Sequence, residues 1–496
     1  MNSTNWRRLS IGLAVGGILT SVVVAAGPLA DASYSSYLTR APYLTDLTSS
    51  SVTVNFGTIT AIVKVRVRYG TSSSGSCSPT SATSATTGKQ GYTITYPTSS
   101  GTATATGNQW KVQVSGLGSG TYCYRMEGTT STTSTTYTDL LDSATVSPTF
   151  STAPATKFAV IGDWGQTGSA APNFANGYQA NVISLLSRSG AQFAVSTGDI
   201  GYPNGSQSNY GDLIHGGQNV SGVFGPNYWP VPGKSIPMYP VPGNHGFTST
   251  FTTLWPSTSI ASSSGGKAAN GSHTVNGSTV TAPDYWFAFN VNGWRIYNLT
   301  AAWGATVTTG STAYAEDYKQ HWAAGAAERT WLTNDLAAHA TAPKMAIFHN
   351  PLYSAVRTGD VQDSYLTAPP DGTQSVESLL ASNNVKLALN GHSHVYERNN
   401  PHNGLVSIIS GGGGATLNPV DTGTAAKCAQ VFPDTGQRVV AYARGWSSAG
   451  GSACNTTKPT SAAQVYHYLR ISLGAGTAKI DAIDSTGTTF DTTTVS

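Results

Sequence analysis

A chain of 496 residues is long enough for two or three domains with sizeable buried cores. Charged residues make up 10% of it, against roughly 25% in an ordinary soluble protein, and Ser, Thr and 55 Gly take their place. Hydrophobic residues at 39% and aromatics at 10% exclude a disordered chain, and a formal charge of +3 with no basic cluster argues against a nucleic-acid partner.

Residues 1–32 read as a targeting segment. Arg7 and Arg8 form a basic start, an apolar run extends from Leu9 to about Ala26, and Ala30-Asp31-Ala32 is an A-x-A cleavage site ahead of Ser33. The Arg pair also admits a twin-arginine signal, although Trp6 and Ser10 fit that pattern poorly. A membrane anchor is the competing reading, but the apolar run holds three glycines and lacks a stop-transfer flank. Loss of Arg7, Arg8 and Asp31 lowers the formal charge from +3 to +2. The mature chain has no other stretch long and apolar enough to cross a bilayer. Four cysteines at 77, 123, 428 and 454 lack any zinc-type spacing. In an exported chain they read as two structural disulfides, Cys77 with Cys123 and Cys428 with Cys454, each within one region.

From Ser33 to about Thr152, short segments alternate apolar and polar residues between Ser/Gly/Thr turns: Ser51–Phe56, Val63–Tyr69, Gln109–Val114 and Thr121–Met126. This spacing predicts an antiparallel sandwich without a catalytic cluster, a supporting or binding domain over 33–153. The character changes after Pro154. A short apolar strand, Lys157–Ile161, ends in Gly162-Asp163-Trp164-Gly165, a helix follows over Tyr178–Ser189, and a second strand, Gln192–Ser196, runs into Gly198-Asp199-Ile200-Gly201-Tyr202. Ser257–Ser278 reads as a loop carrying Asn-x-Ser/Thr sequons at Asn270 and Asn276. A helix near Ala326–Ala338 precedes the strand Lys344–Phe348 and its His349-Asn350-Pro351 end. Another near Gln374–Ser382 precedes Val385–Leu389, which ends in Asn390-Gly391-His392-Ser393-His394. Strand patterns return at Leu405–Ile409, Tyr466–Leu473 and Ala478–Ile483, completing a catalytic domain over 154–496 with its motifs in 162–398 and closing strands in 401–496. Open α/β folds bind ligands at the carboxyl ends of their strands, and every polar motif here falls at such an end.

Five motifs occur in order: Asp163 in GDWG, Asp199 and Tyr202 in GDIGY, Asn244 and His245 in GNHG, His349 in AIFHN, and His392 and His394 in GHSH. Singly each is weak, since an Asp after Gly is often a turn residue. Together, two carboxylates, a phenol, an amide and three imidazoles make a ligand set for two metals. The other histidines (His215, His273, His321, His339, His402 and His467) have no comparable context.

GD-x-G, GD-x-x-Y, GNH, the isolated His and GH-x-H in this order resemble the metallophosphoesterases of the calcineurin-like superfamily, and specifically the purple acid phosphatases. Tyr202, three residues after Asp199, is the distinguishing feature. The likeness extends to His349-Asn350-Pro351-Leu352-Tyr353, to Tyr396-Glu397-Arg398 and to a fibronectin-III-like domain ahead of the catalytic one. It implies an α/β (α+β) sandwich of two mixed sheets flanked by helices, preceded by that all-β sandwich. It also implies that Asp163, Asp199, Tyr202 and His394 hold one metal and that Asn244, His349 and His392 hold a second, with Asp199 bridging. The oxygen-rich first set suits Fe(III), which can bind a phenolate under acidic conditions. The second suits Zn, Fe(II) or Mn. Two such ions bind phosphate oxygens, generate the attacking hydroxide and stabilise the leaving charge. Asp199 and His245 become the catalytic residues, with Asn244 and His245 contacting phosphate and His245 protonating the leaving group.

The resemblance thus implies a secreted acid phosphatase acting on small phosphate monoesters. A phosphodiesterase or nucleotidase with the same two metals is the alternative within the superfamily. A surface-binding protein with a vestigial metal site is the non-enzymatic one. Gly246 stands where relatives often carry an acid, Ala346 replaces a usual Val, and the extra histidines of plant-type members are missing after Tyr353. Two smaller features have two readings each. Gly411–Gly414 is a flexible turn or an anion-binding nest, and Glu397 with Arg398 either orients His394 or forms a buried ion pair.

Overall fold

The structure, a computed structural model, describes residues 34–496 apart from 74–75, 86–87, 143–145, 167–177, 216–221, 226–227, 276–277, 303–316, 357–363 and 424–426. The targeting segment and Asn276 lie outside the described residues.

Three short parallel strands, Lys157–Ile161, Phe193–Ser196 and Met238–Pro240, form the centre of a ten-stranded sheet. On one side it continues antiparallel through His467–Leu473, Ala478–Asp484 and Thr489–Val495. A nine-stranded sheet has a second parallel centre, Trp294–Asn298, Lys344–Ile347, Val385–Asn390 and Val406–Ser410. Alternation along one strand shows why two layers of core form. Met345 and Ile347 join Phe158, Val160, Phe193, Val195, Leu387 and Leu389 in the core shared with the first sheet. Ala346 and Phe348 point the opposite way, to a second core with Leu332 and Leu336 of the helix Ala327–Ala338 and Leu379 and Leu380 of the helix Val376–Ser382. Strands buried on both faces read as unbroken apolar runs, as these do. The region after Pro154 is therefore built on mixed sheets with few helices.

The N-terminal strands make a sandwich whose core includes Val52, Val54, Val65, Val67, Trp110, Val112, Tyr124 and Met126. One of its sheets, Leu38–Thr45, Ser51–Ile59, Gly101–Ser115 and Gln90–Thr98, is continuous with the ten-stranded sheet, joined where Thr45 pairs with Met238.

One stretch read as loop is structured. Thr258–Ser263 is helical, and Lys267–Val275 pairs antiparallel with Ser278–Val291, with Asn270 opposite Pro283. Its Ser/Asn/Gly composition hid a strand that pairs along its whole length, with Lys267 opposite Trp286 and Ala268 opposite Tyr285. Both cysteine pairs are bonded, Cys77 to Cys123 and Cys428 to Cys454. The second spans 26 residues, a loop whose closure restrains the unfolded chain by about 3 kcal/mol. Replacing Cys428 and Cys454 together by Ser lowers the urea midpoint accordingly; an unchanged midpoint would show that the bridge contributes nothing.

Candidate metal centre

Each motif begins where a strand stops and the chain must turn sharply. Asp163, Asp199 and His392 all adopt left-handed backbone conformations, with φ of 56°, 49° and 67°. For a residue with a Cβ such a conformation costs about 1–3 kcal/mol and persists only where the surroundings enforce it. The glycines beside them are required by space. A Cβ on Gly243 would lie 2.2 Å from Asp199 Oδ1, and one on Gly198 would lie 2.5 Å from His349 Nδ1. These turns bring all seven residues of the expected ligand set together.

The set has two halves. In one, the Tyr202 hydroxyl lies 3.0 Å from Asp199 Oδ2, 3.2 Å from Asp163 Oδ1 and 2.9 Å from His394 Nε2. His394 Nε2 is 3.5 Å from Asp163 Oδ1. In the other half, Asn244 Oδ1 lies 2.9 Å from both His349 Nε2 and His392 Nδ1, and His349 Nε2 is 3.3 Å from Asp199 Oδ2. Ligand atoms of Asp163, Asp199 and His394 lie within 4.8 Å of one another, as do those of Asp199, His349 and His392. Asp199 belongs to both groups.

Surrounding backbone orients these side chains. His349 Nδ1–H donates to the Thr197 carbonyl at 2.8 Å and His394 Nδ1–H to the Thr416 carbonyl at 2.6 Å, which turns each Nε2 toward the cluster. The His392 amide donates to both Asp163 oxygens at 3.0 Å, and the His245 amide donates to Asp199 Oδ1 at 2.7 Å. His245 packs at a tilt against Tyr202 with ring centroids 4.6 Å apart, and its Nδ1–H donates to the Pro203 carbonyl at 2.7 Å. Thr197, Pro203, Thr416 and Asn418, whose Oδ1 receives the His394 amide at 2.9 Å, are site residues that the motifs missed.

Two expectations are corrected. Glu397 and Arg398 do not pair with each other: Glu397 accepts the Ala355 amide at 2.7 Å, while Arg398 binds Asp491 at 2.8 and 3.1 Å. The side chains of neighbours along a strand point to opposite faces, and His394 is held instead by Thr416 and Asn418. Gly411–Gly414 is neither a nest nor a loose turn. The Gly411 amide bonds Val395 O and the Gly413 amide bonds Gly162 O, and the run packs directly beneath the first Asp loop.

Burial and mutual charge shift the protonation of nearly every group in the cluster. Burial opposes charge on Asp199, but the neighbouring His349, His245 and His392 outweigh it and hold the carboxyl well below its usual range. Burial raises Asp163 despite His394 beside it. His349, which burial alone would lower, is pushed up to about 9 by Asp199 and Asp163. His392 is pushed down to about 3 by burial and by the positive His349, so it stays neutral. Tyr202 is raised well above 10 by burial and by both carboxylates. His392 Nε2 is buried with no hydrogen-bond partner among the described residues. Two buried carboxylates, converging imidazoles and an amide oxygen fit a pair of metal ions, because such ions relieve the charge that burial otherwise penalises.

Residues 156–396 match the calcineurin-like phosphoesterase family. The chain carries a calcineurin-like phosphoesterase domain. That family hydrolyses phosphate esters and uses a dinuclear metal site. A purple acid phosphatase from yellow lupin (Lupinus luteus) seeds shares the fold, with a TM-score of 0.55 at 14% identity over 93% of this chain and 74% of that one. A dimetal phosphatase from Danio rerio aligns with a TM-score of 0.38 at 12% identity, over 69% of this chain and 99% of that one. No curated protein matches the chain by sequence. All seven ligand-type residues fall inside the phosphoesterase domain.

Metal uptake must displace protons from this domain. Loading metal-free protein with zinc near neutral pH is expected to release a proton from His349, a contribution that disappears as pH rises past about 9. Tyr202→Phe is expected to release about one proton fewer than the parent when the phenol ligates. Calorimetry in buffers of different ionisation enthalpy reads both numbers, and equal release from parent and variant contradicts ligation of zinc by Tyr202.

Proposed function

We propose that this chain is a secreted dinuclear-metal acid phosphatase that hydrolyses small phosphate monoesters. The observation that carries the reading is the Tyr202 hydroxyl within 2.9–3.2 Å of Asp163, Asp199 and His394. A phenol buried beside two carboxylates and an imidazole is placed to serve as an anionic ligand to a strongly Lewis-acidic ion. On this reading Asp163, Asp199, Tyr202 and His394 hold Fe(III). Asn244, His349 and His392 hold a divalent Fe, Zn or Mn, and Asp199 is shared. When bound, the two ions supply charge neutralisation for the phosphate and a nucleophile at low pH.

The chain's own groups do the rest. Asn244 and His245 follow Gly243 at the open edge of the cluster and bind the phosphate. The hydrogen bond to Pro203 keeps a proton on Nδ1 of His245 and leaves Nε2 to carry the one given to the leaving oxygen. Asp199 fixes His245 through its amide, so the acid and the ligand cluster are set by one carboxylate. Residues 1–32 serve as the signal peptide and 33–153 as the fibronectin-III-like domain. Two disulfides suit an oxidising, extracellular setting.

Hydrolysis of p-nitrophenyl phosphate, compared with its bis ester, tests the substrate class: the monoester should be preferred below neutral pH, and preference for the bis ester would make the chain a phosphodiesterase. His245→Ala should lower kcat/KM for the monoester by about 10²–10⁴-fold with metal content retained. Asp199→Ala should abolish both metal binding and turnover. A parent protein that holds no metal and is unaffected by Asp199→Ala would be the non-enzymatic surface-binding protein instead.

A further inference from the structure

Arg40, on the N-terminal strand Leu38–Thr45, is fully buried and far from the motifs in sequence. Its guanidinium reaches into the phosphoesterase domain. Nε donates to the Gly211 carbonyl at 2.9 Å and Nη2 to the Gln207 carbonyl at 3.4 Å, while Nη1 donates to Gln109 Oε1 at 3.1 Å. The planar cation lies 3.9 Å from the centre of the Tyr92 ring and 5.2 Å from that of Phe224. A buried cation is costly unless its donors are met. Here two of the acceptors are the carbonyls of Gln207, the first residue of the short helix Gln207–Tyr210, and of Gly211, its C-cap.

That helix backs the Tyr202 turn. Tyr210 is buried, and a Cβ on Gly201 would lie 3.2 Å from its ring. The Gly205 amide bonds the Gly201 carbonyl at 2.8 Å, and a Cβ on Gly205 would lie 2.6 Å from Gly246 Cα, next to His245. Other N-terminal residues grip the same segment. The Leu213 amide donates to Thr39 O at 2.9 Å, the Thr95 amide to Ser208 Oγ at 2.9 Å, and the Tyr96 ring packs at a tilt against His215 with centroids 4.2 Å apart.

We propose that Arg40 is a positioning residue for the metal centre, through which the N-terminal sandwich clamps the 203–215 segment and so fixes Tyr202 and the Pro203 carbonyl that orients His245. This rests on the dimetal reading above. It gives the N-terminal region a part in building the site and predicts an unequal effect, because the segment continues directly from Tyr202, whereas it meets the Asn244, His349 and His392 half only at the His245–Gly246 turn. Lysine could not replace it, since a point charge cannot meet three divergent acceptors.

The test is zinc titration of metal-free full-length protein, parent against Arg40→Met, with circular dichroism and thermal melting to establish folding. Loss of a group that orients a ligand weakens metal binding about 10–100-fold. The expected result is that one of two ions weakens by at least about tenfold while the other keeps its affinity, with kcat falling in the same variant. A folded variant that binds both ions like the parent, or loses both equally, overturns the proposal. Should Arg40→Met not fold, Tyr96→Ala decides by the same titration: a weaker effect confined to one ion supports the clamp, and unchanged affinities overturn it. A parent that takes up fewer than two ions sinks the dimetal reading itself, a result separate from either variant's.

Discussion

The Asp199 carboxylate is the element on which the rest of the centre depends. One oxygen receives the His245 amide, and the other faces both the Tyr202 hydroxyl and His349 Nε2. It therefore joins the two halves of the ligand cluster and ties them to His245. A buried carboxylate survives only among compensating charges and donors. Asp163 nearby has the same need, so the pair cannot be stable as bare anions. Histidines partly compensate, as the opposite shifts of His349 and His392 show. Divalent or trivalent cations would compensate fully.

The scaffold sustains this arrangement by bonds that reach across the chain. Asp163, Asp199 and His392 each hold an unfavourable backbone conformation, and each is locked by bonds from a different part of the chain. The Gly411–Gly414 run closes one flank and the N-terminal strands, through Arg40, close another. A sheet that runs without a break from the N-terminal strands into the parallel centre gives the two regions a common frame.

Much of this was readable before any coordinates. Lys157–Ile161 and Val385–Asn390 are central strands, and continuous apolar runs bounded by Gly-Asp and Gly-His turns identify such strands directly. The seven ligand-type residues were legible because chemistry demands particular side chains at strand ends. Three classes of feature were not. Thr197, Pro203 and Thr416 act through carbonyls, which any residue supplies. The strand Lys267–Val275 is built from turn-forming residues and is held by its partner. Arg40 gives no local signal, because its meaning lies in contacts 167 and 171 residues away along the chain. Glu397 and Arg398 bond to Ala355 and Asp491, partners that closeness in sequence could not indicate.

Crystals of the protein as purified, measured with anomalous scattering at the iron and zinc edges, test the central claim most directly. The account predicts two peaks about 3.5–4 Å apart, one against Tyr202, Asp163 and His394 and one against Asn244, His349 and His392, with Asp199 between them. A single peak, or none, in protein never exposed to a chelator would contradict it.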